Sequence, residues 1–262
     1  MKVRFHVNAQ KPEAAAQLAA LEARASRAGL GVASAADAAA DVLVSLGGDG
    51  TLLRAVHEFP GVPVLGFNLG GLGYLSSVVE PDFDAAFAAL AAGRYQVSER
   101  TLLQVGDRVA LNDVVFTREM SGHSALLDLE ADGRLVTHYM ADGLVFATPT
   151  GSTAYSLAAG GPVLMPDSGS FVVTPLNPHA LGVRPLVVRD TVSFRVTVRP
   201  RTAGNAPRVG VYADGENVAS LAPGESAVVA KSASAAKLVA LEGYDPYDVL
   251  ARKLGWSGSN VR

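Results

Sequence analysis

Apolar and polar positions along the first hundred residues alternate between two patterns. Val3 to Val7, Asp41 to Leu46 and Val62 to Phe67 are short apolar runs that predict buried strands. Between them, Pro12 to Ala28 carries Leu18, Leu21 and Ala25 on one helical face and ends at Gly29. A second helix is predicted from Thr51 to His57. A third begins at Pro81, with Phe83, Phe87 and Leu90 on one face and Gly93 after it. Strand and helix in alternation predict a parallel sheet covered by helices.

Beyond about residue 97 the period falls to two. Leu102 to Val105, Val109 to Phe116, Ala125 to Glu130 and Leu135 to Tyr139 read as strands separated by turns such as Gly106-Asp107 and Asp132-Gly133. In Val192 to Val198 the apolar residues Val192, Phe194, Val196 and Val198 share one face. Val209 to Ala213, Val218 to Leu221 and Ala227 to Ala230 continue the pattern. A short helix near Thr153 to Ala159 interrupts it, and Tyr247 to Leu254 is helical again. The expected fold is therefore α/β + β: an N-terminal α/β parallel-sheet domain (1–97), a C-terminal β-rich, sandwich-like domain (98–240), and a tail (241–262) packing back on the first, with Trp256 as its anchor.

Composition narrows the function classes. Among 262 residues there is no Cys, which excludes disulfides, Cys-based zinc and thiol chemistry. The net charge of −3 argues against a nucleic-acid partner, which calls for a basic surface. The uncharged run Gly143 to Pro166 is long enough to span a bilayer, but Pro149, Pro162, Pro166 and its glycines break any continuous apolar helix, so no membrane role is expected. The start lacks a signal-peptide core, and a cytoplasmic protein is expected.

Three motifs carry chemistry. Gly47-Gly48-Asp49-Gly50-Thr51 lies between a strand and a helix, where glycines let a ligand approach the backbone and helix N–H groups suit phosphate. Asp49 is out of place beside phosphate unless it takes a proton from an attacking hydroxyl or acts through a divalent cation. A bland alternative is that Asp49 or Thr51 caps the helix. The turn is not a Walker A loop, since no Gly-Lys-Ser/Thr follows. The stretch Asn68-Leu69-Gly70-Gly71-Leu72-Gly73 follows the next strand and so stands beside it at the carboxyl ends of the sheet, where such sheets bind ligands. Asn112-Asp113, within a hydrophobic strand, offers an amide and a carboxylate to a sugar diol; a strand-end turn is the alternative. Asp142 to Pro162 runs from a buried strand into a Thr/Ser/Gly loop and a short helix capped by Ser152 or Thr153, suited to a polar, flat ligand with Tyr155 for stacking.

GGDGT, NLGGLGYL, the Asn112-Asp113 pair, DGLVFATPTGSTAYSLAAGGP, TPLNPHAL followed by Arg184-Pro185, and YDPYDVLARKLGW together resemble the NAD kinase family. GGDGT is shared with other kinases; the TPTGSTAYSLAAGGP stretch is more specific. The resemblance implies transfer of the terminal phosphoryl group of ATP, or of polyphosphate, to the 2′-hydroxyl of the adenosine ribose of NAD, at a site between two domains. It implies Asp49 as proton acceptor with Gly50 beside it, and Asn112 and Asp113 on ribose hydroxyls. Asp142 is implied at the nicotinamide end. Thr150, Thr153, Ala154, Tyr155, Ser156, Leu157 and Ala158 form the dinucleotide pocket, and Arg54 and His123 reach its phosphates. Gly47, Gly48, Gly50 and Thr51 would hold phosphoryl oxygens. No metal cage is spaced in the chain, so Mg²⁺ is expected to arrive with the nucleotide. A homodimer or homotetramer is implied. The chain departs from the family pattern at Asp113 (commonly Glu), Glu216 (commonly Gln) and Met140, where some relatives carry a basic group.

Overall fold

In the computed structural model, which describes residues 1–7, 12–34, 39–71, 73–76, 78–119, 123–200 and 207–256, the chain divides into two compact units. Unit 1 comprises Met1–Glu99 and Ala236–Arg262, and unit 2 comprises Arg100–Ala235. Leu72 of the second glycine-rich stretch and residues 257–262 of the expected tail lie outside the described residues. No helix among the described residues is long and apolar enough to cross a membrane.

In chain order the first elements are β1 (Lys2–Val7), α1 (Pro12–Arg27), β2 (Gly31–Val32), β3 (Val42–Leu46), α2 (Asp49–Glu58), β4 (Val64–Asn68), β5 (Val78–Val79) and α3 (Phe83–Ala91). Then come β6 (Tyr95–Val105), β7 (Arg108–Ala110), β8 (Asp113–Arg118), β9 (Ala125–Ala131), β10 (Arg134–Ala141), β11 (Gly143–Ala147), α4 (Tyr155–Ala158), β12 (Ser170–Leu176) and β13 (Leu186–Arg189). The last are β14 (Phe194–Val198), β15 (Val209–Ala213), β16 (Glu216–Leu221), β17 (Ser226–Leu241) and α5 (Pro246–Leu254).

Unit 1 is built on a parallel sheet in the order β2-β1-β3-β4, with β5 and Leu238 of β17 also paired in parallel to β4. Every residue of β3 and β4 is buried, including the polar Ser45 and Asn68, as expected of predominantly apolar strands in a sheet covered on both faces. On one face Val42, Val44, Leu46, Leu65 and Phe67 pack against Leu21 and Ala25 of α1 and Phe83, Phe87 and Leu90 of α3. The Phe67 ring stacks on Phe83 at 4.3 Å. Losing a buried ring of this size typically costs about 3–5 kcal/mol. On α2, Leu52, Ala55 and Val56 are buried.

Unit 2 carries a six-stranded antiparallel sheet in the order β13-β12-β11-β8-β15-β16 and a second antiparallel run β10-β9-β14-β17. Leu127, Leu129, Phe194 and Val196 from the second share one core with Phe116, Phe146, Phe171 and Val211 from the first. Alternation of buried and exposed residues in β9 and β14 follows from having one face on that core.

Several expected elements change. Val109 to Phe116 is two strands, not one: β7 stops at Ala110, and β8 starts at Asp113. Ala227 to Ala230 is the start of a strand of 16 residues. β12 and β13 were not expected at all. Trp256 does not anchor the tail, being 59% exposed just after α5 closes on Gly255.

Candidate active site

Register places the two glycine-rich turns of unit 1 side by side. Leu43 to Leu46 pair with Val64 to Phe67 in parallel, so the strands end level and Gly47 donates its N–H to Phe67 O at 2.8 Å. Gly47 has φ +149°, and a Cβ there would collide with Thr51 Oγ1. Helix α2 then begins at Asp49, with Gly48 as N-cap and no side-chain cap. The capping alternative for Asp49 or Thr51 is therefore not what the structure forms. As first residues of a helix, Asp49 and Gly50 direct N–H groups outward with no intrahelical partner, and Gly50 is exposed.

The half-buried Asp49 carboxylate turns instead to the segment after β4. Oδ1 accepts from Leu75 N (3.1 Å), Ser76 N (2.8 Å) and Ser76 Oγ (2.7 Å), and Oδ2 accepts from Tyr74 N (2.8 Å). Consecutive N–H groups converging on one anion form a nest. A Cβ on Gly73 would overlap Asp49 Oδ1, so glycine is required there by space. Asn68, last residue of β4, donates from Nδ2 to Ser76 Oγ (3.0 Å) and accepts from Gly70 N (3.0 Å). Burial first, and the Asp49 charge second, push the Tyr74 phenol upward from its ordinary value. Lys253 Nζ stands 5.4 Å from the centroid of the Tyr74 ring. Arg54 lies on the exposed side of α2. Its charge joins burial, the larger effect, in holding the His6 imidazole low, and Glu58 opposes both.

In unit 2 the Asn112-Asp113 pair stands at the break between β7 and β8, the strand-end alternative. The break has a cause: the Asp214 carboxylate accepts from Leu111 N (2.7 Å), Asn112 N (2.8 Å) and Asp113 N (3.1 Å), so these groups leave the ladder. Asp214 and Gly215, both at positive φ, form the turn between β15 and β16. From the other side, Thr148 donates N–H to Asn112 O (3.0 Å) and Oγ1 to Leu111 O (2.5 Å). Gly151 lies so close that a Cβ would overlap Asn112 O. The Asp113 carboxyl is buried, and its pKa is pushed up to about 7, by desolvation first and the Asp214 charge second. Near neutrality it can therefore either donate or accept a hydrogen bond.

Further along unit 2, Asp142 accepts from Arg118 Nε on Oδ1 (2.6 Å) and from Asn177 Nδ2 on Oδ2 (3.0 Å). These bonds, Arg118's first, hold its carboxyl below the usual range. A cavity of about 510 Å³ is lined by Arg118, Asp142, Tyr155, Ala158, Pro175 and Asn177. Tyr155 is 48% exposed there, open to a stacking partner. The hydroxyl-rich loop spends most of its hydroxyls on itself. Ser152 Oγ donates to Pro149 O (2.7 Å) and accepts from Leu164 N (2.9 Å); Thr153 Oγ1 donates to Thr150 O (3.2 Å); Ser156 and Thr174 hydroxyls meet at 2.8 Å. The expected cap by Ser152 or Thr153 is absent: α4 starts after Ala154 with no side-chain cap. Thr150 is buried, Leu157 is half-buried and Ala154 and Ala158 are exposed. His123 is exposed, and its neighbour Ser124 bonds His179 Nε2 at 2.7 Å.

The expected residues thus form three clusters: Gly47 to Thr51 in unit 1, and in unit 2 Asn112-Asp113 with Thr148 to Ser152, and Asp142 with Tyr155 and Ala158. Sequence reasoning missed Ser76, Asp214, Arg118 and Asn177. Asp214 carried a signal as an Asp-Gly turn dipeptide, and Asn177 stands in the TPLNPHAL motif, though neither was assigned a site role. Among the described residues no group of three or more His, Cys, Asp or Glu is arranged to hold a metal ion.

This architecture is that of the NAD(H) kinases. The crystal structure of yeast NADH kinase complexed with NADH superposes with a TM-score of 0.86 at 25% identity, covering 99% of this chain and 88% of that one. An NAD kinase from Archaeoglobus fulgidus in complex with ATP shares the fold (TM-score 0.80, 24% identity, 98% and 100% covered). The family models for the ATP-NAD kinase N-terminal and C-terminal domains match residues 3–95 and 111–241. NAD kinases of Symbiobacterium thermophilum and Chlorobium limicola are each 40% identical over 225 and 224 residues, 82% of this chain and 78% and 77% of theirs. The chain belongs to the NAD kinase family, enzymes that phosphorylate NAD to NADP.

Proposed function

We propose that Asp49 accepts the proton of the 2′-hydroxyl on the adenosine ribose of NAD as that oxygen attacks the terminal phosphorus of ATP. The new O–P bond forms, the bond from that phosphorus to the ADP oxygen breaks, and NADP and ADP leave. The observation that carries this reading is the placement of Asp49: a carboxylate at the first turn of α2, among glycines, with one donor on Oδ2 among the described residues.

Gly47, Gly48, Gly50 and Thr51 are assigned by resemblance to the phosphoryl oxygens, where a helix N-terminus favours negative charge. The Thr51 N–H is engaged by Gly48 O (2.9 Å) and the Gly47 N–H by Phe67 O (2.8 Å), so the N–H groups of Gly48 and Gly50 are the ones suited to this role. By resemblance, Asn112 and Asp113 hold ribose hydroxyls, and the dual hydrogen-bonding capacity of Asp113 near pH 7 supports that role. Asp142 stands at the nicotinamide end, and Thr150 and Thr153 to Ala158 line the dinucleotide pocket. Arg54 and His123 are assigned to its phosphates. By the same resemblance, a divalent cation, Mg²⁺, is proposed to travel with the nucleotide. When bound, such a cation offsets the charge of the donor phosphates. Phosphoryl transfer leaves little covalent work for the protein, so positioning and charge compensation carry the rate. By the same resemblance, polyphosphate is a second donor to test. Homodimers or homotetramers are the proposed assembly, to be read by light scattering on a sizing column.

The test is direct. Purified protein with ATP, Mg²⁺ and NAD yields NADP, read with a dehydrogenase specific for it, and Asp49→Asn lowers the rate by about 10²–10⁴-fold while NAD still binds. Near-normal turnover in Asp49→Asn would remove the proton-acceptor assignment.

A further inference from the structure

The two oxygens of Asp49 are not equivalent. Each carboxylate oxygen has about two lone-pair sites. Oδ1 faces three donors, Leu75 N, Ser76 N and Ser76 Oγ, and is saturated. Among the described residues Oδ2 faces one, Tyr74 N, and keeps acceptor capacity. The strongest geometry on Oδ1 comes from a side chain: Ser76 Oγ, on a fully buried residue, at 2.7 Å. That hydroxyl has one proton, and Asn68 decides where it points. The amide Nδ2 donates to Ser76 Oγ, while Asn68 Oδ1 is fixed by Gly70 N, so the Asn68 amide cannot turn and the Ser76 proton is left to Asp49. The result is a directed chain, Asn68 to Ser76 to Asp49, inside unit 1.

We propose that Ser76, oriented by Asn68, is a positioning residue that pins Oδ1 of Asp49 so that Oδ2 is the oxygen that takes the ribose proton. The inference rests on the reading of Asp49 as proton acceptor. Without the Ser76 hydroxyl the three backbone N–H groups still hold the carboxylate, but Oδ1 loses its third donor and competes with Oδ2 for the ribose proton, and the carboxylate can tilt away from the reacting geometry. Misplacement of a reacting group by about 1 Å is enough to lower a rate on the order of 100-fold.

The experiment is a steady-state series at position 76 with NADP formation as readout. Ser76→Ala lowers kcat by about 10–100-fold while leaving the KM for NAD and ATP within about twofold, because the loss is confined to the reacting geometry. Ser76→Thr, which keeps the hydroxyl, restores most of kcat. Ser76→Cys, close in volume but a weak donor, falls between Ser and Ala, and it serves as the reporter if Ser76→Ala does not fold. A packing role gives the opposite order, with Cys normal and Thr worst, and that order overturns the proposal. Unchanged kcat in Ser76→Ala or, where that does not fold, in Ser76→Cys overturns it as well. Asp49→Asn separates the two readings. If Asp49→Asn is active, the proton-acceptor reading fails and this inference with it. If Asp49→Asn is inactive and Ser76→Ala is fully active, only the positioning role fails.

Discussion

Asp49 in unit 1 and Asp214 in unit 2 use one device for two ends. Each carboxylate gathers three consecutive backbone N–H groups from a segment distant in the chain: Tyr74 to Ser76 in the first case, Leu111 to Asp113 in the second. Asp49 sits at a helix start among glycines and keeps one oxygen lightly engaged. Asp214 sits in a hairpin turn, and its charge falls on a neighbouring buried carboxyl, Asp113. The same hydrogen bonds therefore position the proposed proton acceptor in one unit. In the other they shape a strand break and retune a second acid. What an anion nest does depends on which face of the anion it leaves open and on what lies next to it.

The comparison can be broken most sharply at Asp49. Asp49→Asn is expected to lower kcat by about 10²–10⁴-fold, the usual value of general-base assistance, in the coupled NADP assay. A loss confined to NAD affinity would make the two aspartates alike. Next in size is Asp214→Ala, which strands three N–H donors and is expected to reduce unfolding stability by about 2–4 kcal/mol in urea melts. An unchanged midpoint would show that the nest is not what holds the Leu111–Asp113 segment.

A smaller effect is expected at Asp113, and it depends on pH. Its carboxyl rises from an ordinary 3.8 to about 7 on folding. The folded protein then holds a proton that the unfolded chain has lost, so stability falls as pH climbs from about 4 to 7 and is level above. Asp113→Asn removes this loss, so its advantage over the parent should be largest above pH 7, about 1–3 kcal/mol, and vanish below pH 4. Melting curves across that range check the sign. The smallest effect is at Asp142, whose carboxyl is held low by Arg118 and Asn177. The stabilisation is present above the ordinary carboxylate range and lost as acid protonates it. Asp142→Asn should cost no more than about 1 kcal/mol at pH 7 for a partly exposed pair, and nothing at the acid end.

Much of the fold was legible because burial writes itself into side-chain type. β3 and β4 are mostly apolar, Ser45 and Asn68 apart, since both faces of their sheet are covered, and the alternation in β14 marks a strand with one face on a core. β17 was legible only at its start. Its Lys-Ser-Ala-Ser-Ala-Ala stretch has low strand propensity, and pairing with β14 at one end and β4 at the other overrides it. At Asn112-Asp113 the apolar run Val109 to Phe116 read as one strand, with a strand-end turn as the alternative; the backbone, drawn to Asp214, decided for the break. The hydroxyls of the 148–156 loop read as ligand groups, yet Thr148, Ser152 and Thr153 bond within the loop and Ser156 bonds Thr174 of β12.

The sequence by itself determined the two architectures, the turn that carries Asp49, and the family motifs, because glycines, hydrophobic period and motif side chains are properties of residue type. Only the tertiary structure decided what Asp49 and Asp214 hold, which oxygen of Asp49 stays open, and that Ser76 and Asn68 stand behind it. The physical reason is that the donors are mostly backbone N–H groups. Every residue except proline has one, so no pattern of side chains announces which will converge on a carboxylate until the chain has folded.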